Sequence, residues 1–513
     1  MKVKSFYLFP PTLLLGLSAL FSRFLGVARD HLLAKTFGAT AGEGIYNLDV
    51  YYAAFRIPDL LYNLLIFGAI SAAFIPIFTR YKKEGDLKNA WAFASSMLHV
   101  MLLGILVIAG ATYLLAPYLV HLIAGGFGTE DLALTVKLMR VLLISPILFA
   151  VSSVIISLQD SFKCFFFRSL SPLFYNCGII IGILYFGASF GVMGVTCGVI
   201  IGAAMQLLVQ VPALWQIGFK HVWVLGVTRP DIRKAFTLMI PRVLGLSLNQ
   251  IGLLVNTLIA SFLMTGSITI FYLADNLQSL PLGLIGVSFA ITSFATLSEL
   301  AGEPTPEAFA KEIKRVTHKI LFLIIPATVG MLLLRHEIVN VILVSGKFSS
   351  SDAILTEHVI GLLLLSAFAQ SLIPLISRGF YAYHDTKTPV FTALIGALVN
   401  VGLSVILAIV FQWGIPGIAV AFTVGNIVNF SLLAIFMKRK LKTTILDWRR
   451  IVKVIIASTI MGLSVGFGQY VLPFEGGLFQ KIAGLLMVTA LGAVVYFICA
   501  HLLKIPERRM MKF

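Results

Sequence analysis

Arginine and aspartate recur in this chain where the surrounding residues are almost wholly apolar. The first such stretch is Phe21-Ser22-Arg23-Phe24-Leu25-Gly26-Val27-Ala28-Arg29-Asp30. Arg23 and Asp30 are seven apart, so a helix puts them on one face, with Arg29 roughly 120° away. A second stretch holds Asp49 and Arg56, again seven apart, with Asp59 three beyond Arg56 and within pairing distance on a helix. Pro58 lies between the last two and is expected to interrupt the helix, freeing carbonyls that need partners or water. A guanidinium is a planar fork that donates two parallel hydrogen bonds to phosphate oxygens. Three arginines and three aspartates on two neighbouring helices therefore predict one of two things. Either they neutralise one another, or they line a hydrated chamber that receives an anionic headgroup. The second reading is favoured, because each such group costs roughly 2.5–3.5 kcal/mol at the centre of a membrane helix. Asp49 would then orient Arg56 or compete with substrate for it.

Other polar residues carry weaker signals. Arg242 follows Pro241 and reads as an interfacial arginine whose head snorkels out of the bilayer. Asp275 and Asn276 could serve packing or a site equally well. Gly346-Lys347-Phe348 reads as an outer-loop turn, and His384 has a charged neighbour in Asp385. The chain contains no H-E-x-x-H, Walker A or G-x-S-x-G motif, so no catalytic constellation is expected. Cys164, Cys177, Cys197 and Cys499 form no C-x-x-C pair and read as structural thiols.

The elements that position these charges are membrane spans. The chain has 513 residues, 59% hydrophobic and 12% charged, about half the charge of an ordinary soluble domain. Apolar runs of about 20 residues recur throughout, long enough to cross a hydrocarbon core as helices. Fourteen spans are predicted: 8–34, 43–78, 90–119, 132–158, 166–188, 190–214, 232–264, 268–298, 316–344, 354–382, 388–411, 415–437, 451–472 and 478–503. The N-terminal stretch lacks a small-residue cleavage site and is read as the first span. With both termini in the cytoplasm, 29 of the 39 lysines and arginines fall on the cytoplasmic side, six on the opposite side and four inside spans. That bias is what the positive-inside rule demands of an even number of spans. The net charge of +17 is thus a topology signal with attraction to anionic lipid, and nucleic acid is excluded as a partner.

Two stretches superimpose. Asn176-Cys177-Gly178 matches Asn400-Val401-Gly402, and Gly191, Gly194, Gly198 and Gly202 fall on Gly414, Gly417, Ala421 and Gly425 at an offset of 223. Small residues four apart let helices approach closely in lipid, but the constant register points further, to a duplication. The fold class expected is all-α and polytopic, with residues 1–220 and 221–440 as two six-helix lobes. Residues 441–513 are expected to add a helical pair and a tail. Parallel repeats of this kind place a substrate between the halves.

FSRFLGVARD (21–30) resembles the opening signature of the MurJ/MviN family, the lipid II flippases of peptidoglycan synthesis. So do YYAAFRIPDLL (51–61), GAISAAFIPIF (68–78), SLSPLFYN (169–176), LNQIGLLVNTLIASFL (248–263) and GFYAYHDTKTPV (379–390). The resemblance covers nearly the whole chain. It implies the fold of the multidrug/oligosaccharidyl-lipid/polysaccharide exporter superfamily, a central cavity, alternating access, and a groove for the polyprenyl tail near the last two helices. It also implies that Arg23 and Arg29, with the neighbouring Ser22, bind the diphosphate-sugar headgroup of lipid II, aided by Asp49 and Arg56. Two positions where the family usually has arginine hold Tyr62 and Asn276, and a glutamate position holds Phe67. These departures leave open a flippase for another isoprenoid-linked glycan, or a drug/cation antiporter. No acidic residue occurs between Asp231 and Asp275, so the sodium-binding acidic residue of some members has no counterpart. No cofactor is expected. The expected driver is the membrane potential or a monovalent ion, the expected partners are lipid II and membrane lipids, and the expected place is the bacterial inner membrane. The protein is expected to act as a monomer, with cell-wall synthesis proteins as further candidate partners.

Overall fold

The computed structural model describes residues 11–41, 44–65, 69–303, 305–471 and 477–511. Among them every regular element is helical. Ten helices are long and apolar enough to cross a bilayer. They are Leu87–Ala124, Thr129–Phe162, Phe165–Phe190, Val192–Ile217, Ser267–Leu300, Glu307–Leu333, Lys387–Val410, Ile415–Leu441, Trp448–Val471 and Leu478–Leu502. An eleventh span is a pair, Ser350–Leu364 and Ala367–Ala382, bent by 43°. Three more predicted spans correspond to Pro11–Phe37, to Leu48–Leu65 with Ala69–Lys83, and to Pro230–Ser261. Leu48–Leu65 holds Asp49, Arg56 and Asp59 within eighteen residues, so its charge is high for a span. The total agrees with fourteen. Pro58 does not break the second span: the helix Leu48–Leu65 runs through it. The proline only withholds an N–H from the carbonyl one turn back.

The repeat is written into the backbone. The fifth span carries a π-helical turn at Gly182–Phe186 and the eleventh one at Val405–Val410, so both begin at the offset of 223. Gly191 (φ 59°, ψ −142°) and Gly414 (φ 62°, ψ −141°) then open the sixth and twelfth spans with the same dihedrals. The fifth and sixth spans touch backbone to backbone: a Cβ on Gly178 would lie 2.2 Å from the Gly202 Cα.

A comparative prediction follows at the repeat-related glycines. Alanine at either position is strained by about 1–3 kcal/mol. At Gly191 the new Cβ would also lie 2.0 Å from the Ile45 carbonyl oxygen, whereas at Gly414 nothing lies within 4 Å. Gly191→Ala is expected to lower the melting temperature of the detergent-solubilised protein distinctly more than Gly414→Ala. Equal losses would contradict the packing described.

Internal contacts divide the chain into two compact units, Met1–Thr269 with Ser345–Phe348, and Ile270–Val344 with Ser349–Phe513. The seventh span therefore packs within the first unit. The reason is packing: Ile232, Ala235 and Met239 of the seventh span share a core with Phe74, Phe78, Phe93 and Met97. In the second unit, Phe309, Ile313, Leu375, Phe380, Leu433 and Met437 form one core. Val454, Ala457 and Met461 of the thirteenth span meet Val488 and Tyr496 of the fourteenth in another, where the Tyr496 hydroxyl donates to the Phe322 carbonyl at 2.6 Å.

Candidate functional site

The first span is tied to the fifth by a polar ladder. The Ser18 hydroxyl donates to the Ser169 carbonyl. One turn on, Asn176 Nδ2 donates to Ser22 Oγ at 3.3 Å and to the Pro172 carbonyl at 3.0 Å, while its Oδ1 accepts from Arg29 Nη1 at 3.3 Å. Arg29 Nε and Nη2 both donate to Asp30 Oδ1, at 3.0 and 2.8 Å. Sequence neighbours on a helix point about 100° apart, so the long arginine curls back to reach this carboxylate.

That ladder forms one wall of a cavity of about 650 Å³ inside the first unit. Ser22, Arg29 and Asn176 line it there. Asp160 and Arg168, from the fourth and fifth spans, line it as a second ion pair. Asp59, Pro58 and Tyr62 of the second span complete another side. Tyr62, Phe149 and Tyr175 form a continuous aromatic strip, with ring centroids 4.8 Å apart for Tyr62–Phe149 and 5.4 Å for Phe149–Tyr175. Ser145, Ser153, Ser171 and Gln206 add hydroxyl and amide groups.

Each lining arginine is thus held by one carboxylate. Such a cavity can take an anion by exchange, the incoming oxygens replacing the carboxylate that holds the guanidinium. Taking away one partner of a buried pair without replacement is expensive, so exchange rather than dissociation is the natural transaction. The aromatic strip offers flat apolar faces against which the C–H face of a sugar ring can pack.

Of the residues singled out from sequence, Ser22, Arg29, Pro58, Asp59 and Tyr62 line this cavity. Arg23 is half-buried on the same helix and does not line it. Arg56 does not line it either: its Nε donates to Thr257 Oγ1 on the seventh span at 2.8 Å. Asp49 corrects the expectation that it orients Arg56. Its Oδ2 accepts from Gly266 N at 2.8 Å, and its Oδ1 accepts from Thr269 N at 2.8 Å and Thr269 Oγ1 at 2.6 Å. Asp49 is a cap for the start of the helix Ser267–Leu300, with 2% of its surface exposed. Asn276 belongs to the second unit, where its carbonyl accepts from the Ser279 hydroxyl at 2.7 Å. Asp275 Oδ1 accepts from Gln278 Nε2 at 3.0 Å. Phe67 and the side chain of Arg242 lie outside the described residues.

Two other motifs turn out to be structural. Lys347 N donates to the Lys35 carbonyl at 3.0 Å, pinning its loop to the end of the first helix. Asp385 accepts from Thr388 N at 3.0 Å and Thr388 Oγ1 at 2.8 Å, closing the turn after His384. Burial pushes the Asp385 carboxyl up, but these two bonds and nearby Lys440 outweigh it and hold the group below the usual carboxylate range.

Sequence reasoning missed Asp160 and Arg168. Arg168 counts among the 29 basic residues of the cytoplasmic side, and Asp160 sits at the end of the fourth span in S-L-Q-D-S-F-K. The available signal was an acid and a base eight residues apart across the short link between the predicted spans 132–158 and 166–188, close enough for both to face one space.

A family model described as lipid II flippase MurJ matches residues 33–496. A protein of Thermotoga maritima described as a probable lipid II flippase MurJ is 29% identical over 97% of this chain and 97% of its own length. One of Vibrio cholerae with the same description is 32% identical over 81% of this chain and 80% of its own. Among solved structures, a lipid II flippase MurJ in an inward closed conformation superposes with a TM-score of 0.77 at 26% identity, covering 96% of this chain and 98% of that one. An inward-facing multidrug transporter of the MATE family superposes with a TM-score of 0.69 over 81% of this chain and 94% of its own, but at 15% identity that likeness extends to the fold alone.

Proposed function

The chain belongs to the lipid II flippase MurJ family, and on that premise we propose how its first unit handles the substrate. The protein is a transporter rather than an enzyme, a multi-pass protein of the bacterial inner membrane that translocates lipid II. The cavity of the first unit receives the diphosphate-linked sugar headgroup. Arg29 and Arg168 bind the diphosphate by exchange with Asp30 and Asp160, while Tyr62, Phe149 and Tyr175 face the sugar. What carries this reading is the convergence of two guanidinium groups on one 650 Å³ cavity in a chain of this family. Arg23 on the first span and Arg56 on the second meet the headgroup at other stages of the cycle.

Both termini are cytoplasmic in this reading, because the 29-to-6 distribution of basic residues requires it. The lobes rock to expose the site first inward and then outward, the polyprenyl tail running along the helical pair of residues 441–513. The membrane potential drives the step, supplying about 2.3 kcal/mol per charge per 100 mV to an anion moving outward. A monovalent ion is the alternative driver, and the monomer is the working unit.

Tyr62 supports a second reading. An aromatic ring where the family resemblance implies arginine shifts the cavity from charge towards stacking, which would suit an isoprenoid-linked glycan other than lipid II. Expressed in a strain depleted of its own flippase, the chain is expected to restore growth. Purified protein is expected to bind lipid II more tightly than undecaprenyl diphosphates bearing other glycans. Failure of rescue at normal membrane levels, with preference for another glycan, would replace the first reading by the second.

A further inference from the structure

A second cavity, of about 450 Å³, lies on the surface of the first unit. One wall is the helix Leu87–Ala124, through His99, Leu102, Leu103 and Leu106; the other is the link between the sixth and seventh spans, through Trp223, Val224 and Leu225. It shares no lining residue with the headgroup cavity.

The link is a built strap. Val222 N donates to Ser95 Oγ at 3.0 Å, and His99 Nδ1 lies 2.9 Å from the Val224 carbonyl oxygen. Gly226 adopts a φ of 59° and packs so closely that a Cβ there would lie 2.4 Å from Ser96 Oγ. His99 Nε2 stands 3.0 Å from His221 Nε2. Hydrogen-bond accounting fixes the protons. A carbonyl only accepts, so His99 carries its proton on Nδ1 and its Nε2 is the acceptor. With both rings neutral, His221 then donates from Nε2 to His99 Nε2. The Trp223 ring lies parallel to His99 at 5.6 Å and edge-on to His221 at 4.6 Å, yet is 88% exposed.

Three observations identify what fills the groove. Its helical wall runs on into Leu103, Leu106, Val107 and Leu114, which are 46–73% exposed and face the hydrocarbon in a membrane span. The strap sits at the end of that span, where an amphipathic tryptophan anchors at headgroup level. Its flanks carry exposed Lys220, Arg233 and Lys234, while Arg229 is already held by Asp231 at 2.8 Å. Basic residues in that position attract anionic lipid. We propose that strap and helix form a binding site for an anionic phospholipid, with its phosphate on Lys220 beside the His221 ring and one acyl chain along Leu102–Leu106.

The test uses the full chain in phosphatidylcholine vesicles containing phosphatidylglycerol, with bromine on the acyl chains of one lipid or the other. The Trp223 signal is the difference between wild type and Trp223→Phe. Brominated phosphatidylglycerol is expected to quench it about fivefold more effectively at equal mole fraction, the factor given by ~1 kcal/mol per basic group near the surface. Lys220→Gln with His221→Gln is expected to bring phosphatidylglycerol down to the level of phosphatidylcholine. Equal quenching of the wild type by both lipids means an interfacial tryptophan without a headgroup site and overturns the proposal. So does quenching by neither, or a preference that survives in the double variant. The wild-type comparison decides by itself should the double variant fold poorly.

Discussion

Arg29→Ala is expected to abolish rescue of a flippase-depleted strain even when its membrane level is matched to that of the wild type. The guanidinium is the charged group through which the first span meets the cavity, and it is held there by Asp30 and Asn176. Truncating one member of a buried, hydrogen-bonded charge pair with a bound anion costs about 2–5 kcal/mol. That corresponds to a loss of roughly 30-fold or more in affinity for the diphosphate. Arg29→Lys keeps the charge but loses the fork, so it should rescue only in part. Asp30→Asn gives the sharper test of the exchange idea. An amide oxygen still orients Arg29 but no longer competes as an anion, so lipid II should bind more tightly while net translocation slows at release. A strain that grows fully on Arg29→Ala would remove this arginine from the mechanism. Unchanged affinity in Asp30→Asn would remove the exchange.

The membrane architecture was legible because two independent signals bear on it, the length of apolar runs and the side on which basic residues gather. The duplication was legible too, since its glycines serve dihedrals that only glycine adopts comfortably, at Gly191 and again at Gly414. The site was legible only as a region. Spacing states which residues share a helix face, but not which neighbour that face meets. Asp49 and Arg56 do sit seven apart on one helix, yet the carboxylate is taken by the first turn of another helix and the guanidinium by Thr257. Arg168 was hidden by its own usefulness to the topology: a basic residue at a span end satisfies the charge rule wherever its head points. Conversely, Tyr62 looked like the loss of a charge, and its meaning emerged only beside Phe149 and Tyr175.

The capping role of Asp49 leads to the second large effect. Asp49→Ala is expected to destabilise the protein rather than merely weaken substrate binding. Three donors, Gly266 N, Thr269 N and Thr269 Oγ1, would lose their acceptor in a place that water barely reaches. Each buried group left unsatisfied costs about 1–3 kcal/mol, and a helix start has no intrahelical partner to offer in exchange. With relaxation, a total near 3–5 kcal/mol is expected, enough to lower the melting temperature in detergent by about 5 °C. Asp49→Asn should fall between, because its oxygen can still accept from Thr269 while its amide N–H₂ confronts the Gly266 N–H. Thr269→Val, which removes one donor and leaves the carboxylate, should cost less than either. The competing view, in which Asp49 serves the substrate beside Arg56, predicts the opposite: an Asp49→Ala protein that melts like the wild type and fails only in lipid II binding. That result would return Asp49 to the binding site and leave the helix cap without a role.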